Sequence, residues 1–266
     1  MNIDFLLETR CFLLDMDGTL YLSERPIQGA LAFTQYLTSI GIEYYCLTNN
    51  SSRSQQDYHE KLAFLGFKIP SERILTSGDA TADLLKIENP GGRIFVVGTP
   101  SLESIFASRG FQVVEDDPDT IVLGFDTGLT YEKLENLCRL VRDGYEYVAT
   151  HPDLTCPTDE GLIPDIGATI AFVEAATGRT PDRIIGKPNR PIVEVVANTT
   201  GIALDQICMV GDRLYTDIAF GQHGVKTVLV MSGETRPKDI PKSEYKPDLV
   251  VSDLSELLAL IEENHG

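Results

Sequence analysis

The chain alternates short apolar runs with longer stretches in which apolar residues recur every three or four positions. Cys11 to Leu14 is apolar without polar alternation, which suits a strand covered on both faces, as in a parallel sheet. Ala30, Phe33, Leu37 and Ile40 then share one helical face, ended by Gly41. Glu43 to Thr48 predicts a second strand, Ser54 caps a helix with Tyr58, Leu62 and Leu65 on one face, and Arg73 to Ser77 predicts a short third strand. A helix over Ala80 to Ile87 and a break at Asn89-Pro90-Gly91-Gly92 open a second alternating series. Its strands are expected at Arg93 to Gly98, Thr120 to Gly124 and Tyr145 to Thr150, and its helices at Ser101 to Ser108 and after the capping Thr130. A loop containing His151, Pro152, Asp153, Asp159 and Asp165 leads to a helix over Ala168 to Thr177. From Arg183 the first series resumes: a helix over Pro191 to Thr200, strands at Gln206 to Gly211, Lys226 to Val230 and Leu249 to Val251, and a last helix with Leu254, Leu257, Leu258 and Ile261 facing inward.

Such alternation argues an α/β fold with a parallel sheet and right-handed crossovers. The change of character near Gly78 and the resumption near Arg183 divide the chain into a core of residues 1–79 and 182–266 and an inserted, smaller α/β domain of residues 80–181. A chain of 266 residues with 42% hydrophobic and 23% charged residues has the composition of an ordinary folded protein. Its formal charge of −18, with no basic run, excludes nucleic acid and anionic membrane as partners and requires local neutralisation of any site for a phosphorylated molecule. No apolar run reaches membrane-spanning length, and the Met1 to Arg10 segment has acids at Asp4 and Glu8 in place of a basic export signal, so a cytoplasmic protein is expected. Five cysteines without CxxC spacing, three of them (Cys11, Cys46, Cys208) in strand-like runs, read as buried small hydrophobes.

Candidate chemistry gathers at the predicted strand ends. Asp15 and Asp17, two apart in extended chain, point to the same side just past the first strand. They form either a strand followed by an Asp-Gly turn or a pair stabilised by a cation, since like charges this close push one pKa up. Thr48-Asn49-Asn50, Lys187, and Asp212 with Asp217 occupy comparable positions. Each also has a plainer reading: a turn at Thr48 and Asn49, a surface lysine before proline, a helix-end charge at Asp217, a solvated loop histidine at His151, surface ion pairs at Arg53 and Arg213.

In chain order these features resemble the four motifs of the haloacid dehalogenase superfamily: DMDGT the first, the Thr of LTNN the second, the Lys of GKPN the third and GDRLYTD the fourth. The wording GDRLYTDI, the GKPN and the α/β insert resemble the branch of NagD-type and 4-nitrophenylphosphate phosphatases. The resemblance implies a doubly wound, Rossmann-like parallel core sheet, with the insert acting as a cap and able to carry a homodimer contact. It implies a phosphatase for a small phosphorylated metabolite, of the nucleotide monophosphate, sugar phosphate or pyridoxal phosphate type. Asp15 would be the nucleophile that becomes an aspartyl phosphate, and Asp17 the general acid and base. The Asp15 carboxylate, the Asp17 carbonyl and the Asp212 carboxylate would hold Mg²⁺, with Asp217 behind them. Thr48, Asn49 and Asn50 would meet the phosphoryl group, Lys187 would offset its charge, and His151 and Asp153 would contact substrate from the cap. A phosphotransferase or mutase on the same scaffold, and a phosphoacceptor signalling module, are the alternatives. Asp17 and the insert speak against the signalling module.

Overall fold

The computed structural model describes residues 3–158 and 161–265, so Asp159 of the predicted polar loop lies outside the described residues. In chain order the strands are β1 (Cys11–Asp15), β2 (Tyr21–Leu22), β3 (Arg25–Pro26), β4 (Glu43–Thr48), β5 (Ile74–Thr76), β6 (Arg93–Val97), β7 (Gln112–Val113), β8 (Thr120–Leu123), β9 (Glu146–Ala149), β10 (Thr155–Thr158), β11 (Gly161–Pro164), β12 (Arg183–Ile184), β13 (Ile207–Gly211), β14 (Lys226–Val230) and β15 (Leu249–Val251). The helices are α1 (Phe5–Glu8), α2 (Ala30–Ile40), α3 (Gln55–Phe64), α4 (Ser77–Glu88), α5 (Pro100–Ser108), α6 (Tyr131–Asp143), α7 (Ile166–Thr177), α8 (Arg190–Thr200) and α9 (Leu254–His265). The chain divides into two units: one takes the chain up to Thr48, Gln56–Leu75 and the chain from Val196, the other Asn49–Gln55 and Thr76–Val195.

The first unit is built on a six-stranded sheet in the order β15-β14-β13-β1-β4-β5. The pairings between β1 and β13, β1 and β4, β13 and β14, and β14 and β15 are parallel. All five residues of β1 and all five of β13 are buried, as expected of strands covered on both faces. Phe12 and Leu14 pack with Phe33 and Leu37 of α2 and with Leu254, Leu257 and Ile261 of α9, and the Phe12 and Phe33 rings meet edge to face at 5.6 Å. Helix α2 stops where Gly41 takes a positive φ of 72° and its N–H reaches Leu37 O and Thr38 O. Ile40, expected inward, is 40% exposed, because the three-residue step from Leu37 turns the face by about 60°; Thr34 fills the buried face instead.

The second unit carries its own five-stranded sheet in the order β12-β9-β8-β6-β7, parallel in every pairing, and a separate antiparallel β10-β11 hairpin. Ser77, expected as strand, opens α4, because Thr76 Oγ1 accepts the Asp79 N–H at 3.0 Å and caps the helix. The β10-β11 hairpin occupies what reads as loop, since its residues are mostly exposed and lack apolar alternation. Thr130 caps α6 as expected, accepting the Lys133 N–H at 3.2 Å. Cys11, Cys46 and Cys208 are buried and unbridged. Among the described residues no helix is long and apolar enough to cross a membrane.

Candidate active site

In the first unit β1 lies between β4 and β13, where the strand order reverses, and the carboxyl end of such a switch point is where open α/β sheets take ligands. Asp15 stands opposite Leu47 and Leu14 opposite Val210, so Thr48 and Asp212 both leave the sheet just past the end of β1. Carboxylate oxygens of Asp15, Asp212 and Asp217 come within 4.8 Å of one another. All three residues are buried, and Thr48 beside them is buried too. Asp217 Oδ2 accepts the Arg213 N–H at 3.1 Å, and Asp212 Oδ2 accepts the Glu234 N–H at 2.5 Å. Among the described residues Asp212 Oδ1 is buried without a hydrogen-bond partner. Burial first, then the charges of Asp15 and Asp217, push the Asp212 carboxyl up to about 8, against the Glu234 amide that lowers it. Gly18, at a φ of +92°, keeps this space open: a Cβ there would stand 2.5 Å from Asp212 Oδ2. Three crowded carboxylates, one with an orphaned buried oxygen and no His or Cys among them, fit a hard divalent cation.

Two further groups in this unit bear on the site. The side chain of Arg213, 19% exposed, lies 3.0 Å from Glu234 Oε2. Burial opposes its charge, but Asp15, Tyr215, Glu234 and Asp212 outweigh burial and hold its pKa above the ordinary value. Asp17 differs from its neighbours in having a half-exposed side chain. The chain from Met16 closes one turn, with the Leu20 and Tyr21 N–H groups on Met16 O, and this brings the Tyr21 hydroxyl to donate to Asp17 Oδ2 at 3.1 Å. Burial, then the Asp17 carboxylate, push the Tyr21 phenol well above its usual range, so it remains a donor.

In the second unit the Asn49 carboxamide is committed to protein groups. Its Oδ1 accepts the Lys187 N–H at 2.7 Å, while its Nδ2 donates to Lys187 O at 2.9 Å and to Asp153 Oδ1 at 3.0 Å. Lys187 is 3% exposed, not the surface turn that its place before a proline suggests. Asn50 Oδ1 accepts from the Ser52 N–H and hydroxyl at 2.9 and 2.7 Å, a local Asx turn. His151 is fully buried. Its Nδ1 lies 3.3 Å from Ser77 Oγ and 3.2 Å from Thr150 Oγ1, and its Nε2 lies 3.1 Å from Asp165 Oδ1. Both ring nitrogens face protein partners, and the ring braces the start of α7, where Asp165 Oδ1 also accepts the Ile166 N–H. Asp153 is part-buried and held by Asn49.

Family models described as haloacid dehalogenase-like hydrolase and HAD-hydrolase-like match residues 12–112 and 184–257. The 4-nitrophenylphosphatase of Thermotoga maritima superposes with a TM-score of 0.94 at 43% identity, covering 97% of this chain and 99% of that one. The chain belongs to the haloacid dehalogenase superfamily. The dihydroxyacetone phosphatase of Corynebacterium glutamicum is 35% identical over 247 residues, 92% of this chain and 90% of that protein. The glycerol phosphate phosphatase of Mycobacterium tuberculosis, solved in complex with magnesium, is 32% identical with a TM-score of 0.86, covering 95% of this chain and 77% of that one. This haloacid dehalogenase chain is a phosphatase of the NagD and 4-nitrophenylphosphatase kind.

Three groups carry geometry that the sequence does not announce. The second and third motifs are joined by the Asn49 side chain, which spans 138 positions to Lys187. Arg213, read as a surface ion-pair partner, has a largely buried side chain beside Glu234, and Asp15, Tyr215, Glu234 and Asp212 raise its pKa against burial. Tyr21 lies four residues after Asp17, a spacing that carries a signal only once the intervening turn is known. Gly18 did have a signal, since a glycine directly after Asp17 marks a positive φ or a close approach.

Proposed function

We propose that the protein hydrolyses small phosphate monoesters of the sugar- or polyol-phosphate class, with Mg²⁺ held at the carboxylate cluster and an aspartyl phosphate as intermediate. The observation that carries this reading is the convergence of carboxylate oxygens of Asp15, Asp212 and Asp217 within 4.8 Å, with one buried oxygen of Asp212 unpartnered among the described residues. The substrate class rests on relatives named for dihydroxyacetone phosphate and glycerol phosphate.

The Asp15 carboxylate attacks phosphorus as the bond to the leaving oxygen breaks, and Asp17 gives that oxygen its proton. Asp17, now a carboxylate, takes a proton from the water that attacks the Asp15 acyl phosphate, which releases inorganic phosphate and restores both residues. Its half-exposed side chain suits a group that must meet both a leaving alcohol and a water. The Asp15 and Asp212 carboxylates and the Asp17 carbonyl would hold the cation, with Asp217 orienting the cluster from behind. When bound, Mg²⁺ supplies the positive charge that lets an anionic nucleophile approach an anionic phosphoryl group. Thr48 and the Asn49 main-chain amide bind phosphoryl oxygens, with Asn50 shaping the turn that presents them, and Lys187 adds the second offsetting cation.

The test is a panel of dihydroxyacetone phosphate, glycerol phosphate, a nucleoside monophosphate, pyridoxal phosphate and 4-nitrophenyl phosphate, each assayed with Mg²⁺ and after EDTA. Mg²⁺-dependent release of inorganic phosphate, fastest from the three-carbon esters, is expected. Full turnover after EDTA would overturn the metal assignment. Transfer of phosphate to an added alcohol without free phosphate would replace hydrolysis by phosphotransfer.

A further inference from the structure

The Asp17 side chain stands on a turn and is 51% exposed, a setting in which a carboxylate ordinarily samples several rotamers. Here its two oxygens face different partners. Oδ2 receives the Tyr21 hydroxyl at 3.1 Å, while Oδ1 faces the Lys61 ammonium at 4.0 Å. The same ammonium lies 3.9 Å from the centroid of the Tyr21 ring. Tyr21 has no freedom to follow a moving carboxylate: it is 0% exposed, packs in the core of the first unit, donates its N–H to Met16 O at 3.1 Å and accepts the Gly18 N–H on its carbonyl at 2.8 Å. Lys61 is set by α3, whose Tyr58 and Leu62 are buried.

A buried phenol needs an acceptor, and Asp17 supplies one. That requirement does not explain a lysine that lies on the ring of the phenol and faces the other oxygen of the same carboxylate. Nor does stability, because part-exposed pairs of this kind contribute little. We infer that Tyr21 and Lys61 are positioning residues for Asp17, fixing the orientation of its carboxyl group for proton transfer. The inference rests on the acid-base role proposed for Asp17 above. The carboxyl proton passes to the leaving oxygen as its bond to phosphorus breaks, and the carboxylate recovers one from water as the new oxygen–phosphorus bond forms.

The test compares Tyr21→Phe, Lys61→Met and Asp17→Asn, and the double variant Tyr21→Phe/Asp17→Asn, by rapid-quench measurement of phosphoenzyme formation. Two substrates are used: glycerol phosphate, whose alkoxide leaves only with a proton, and 4-nitrophenyl phosphate, whose phenolate leaves almost unaided. Tyr21→Phe should slow the step on glycerol phosphate roughly 10- to 100-fold, part of the 10²–10⁴ that a positioned acid contributes, with KM little changed and 4-nitrophenyl phosphate hardly affected. Lys61→Met should act in the same direction by a smaller factor. The double variant should be no slower than Asp17→Asn alone, because a group with no proton to give cannot be mispositioned. Equal losses on both substrates, a further loss in the Asp17→Asn background, or wild-type rates for Tyr21→Phe beside an impaired Asp17→Asn would each overturn the inference. Wild-type behaviour of Asp17→Asn on glycerol phosphate would instead sink the acid-base role itself. Should Tyr21→Phe fail to fold, Lys61→Met, which alters a part-exposed side chain, carries the same substrate comparison.

Discussion

Replacing Gly18 with alanine should damage stability and cation binding together, for a reason visible in the distances. Gly18 has a φ of +92°, where an L side chain costs roughly 1–2 kcal/mol. The new Cβ would stand 2.5, 2.7 and 2.9 Å from Oδ2, Cγ and Oδ1 of Asp212, whereas ordinary contact begins at 3.4 Å. The carboxylate must therefore retreat by about 1 Å. It cannot do so while Oδ2 keeps the Glu234 N–H at 2.5 Å, and leaving a buried carboxylate without that partner costs about a further 1–3 kcal/mol. Together these amount to about 2–5 kcal/mol of destabilisation. A displacement of this size in a reacting constellation is worth roughly 100-fold in rate. The assay is a urea melt of Gly18→Ala and wild type beside a Mg²⁺ titration of activity. A lower midpoint is expected, with a half-saturating Mg²⁺ concentration raised well beyond any change in KM for substrate. An unchanged melt with an unchanged Mg²⁺ titration would refute the placement of Asp212.

Asp15→Asn should abolish both turnover and acid-stable label on the protein after mixing with labelled acetyl phosphate, because no other group can become the acyl phosphate. Asn49→Ala should lose about 2–4 kcal/mol by leaving the buried Lys187 amide and carbonyl unpaired, and faster hydrogen exchange at the Lys187 N–H would register the loss directly. His151→Asn should lower thermal stability while leaving KM near wild type, since the ring faces Ser77, Thr150 and Asp165; a large rise in KM with an unchanged melt would restore the ring as a substrate contact.

The parts of the fold legible in sequence are those in which local pattern and burial coincide. β1 and β13 are uninterrupted apolar runs because both faces are covered, and Asp15 and Asp212 stand out as charges at or just past their ends. What was not legible depends on partners far away in the chain or on a turn of a few residues. Asn49 looks like a phosphate-binding loop residue, but its carboxamide is spent on Lys187 and Asp153, 138 and 104 positions away. His151 looks solvated before Pro152, yet Ser77, 74 positions earlier, supplies part of the polar lining that makes its burial affordable. The β10-β11 hairpin escapes because exposed strands of four residues carry no apolar alternation.

The charge of the chain and the chemistry of its site bear on each other through distance. A formal charge of −18 would repel a phosphate ester, but surface charges beyond the roughly 8 Å screening length of physiological salt contribute little, so the nearest groups decide. Arg213 is a guanidinium that also faces Glu234 at 3.0 Å, so its charge is shared. It therefore cannot balance Asp15, Asp212 and Asp217 by itself, and burial first, then the charges of Asp15 and Asp217, raise the Asp212 carboxyl to about 8. Around neutral pH the protein can relieve that deficit by keeping a proton on Asp212 or by admitting a cation. A proton satisfies one carboxylate, whereas a divalent ion would satisfy several at once and leave Asp15 ionised, the state in which it is a nucleophile. A ligand bound only by the folded form adds RT ln(1 + [L]/Kd) to stability, so the crowding of these carboxylates is also what would couple folding of the first unit to the cation.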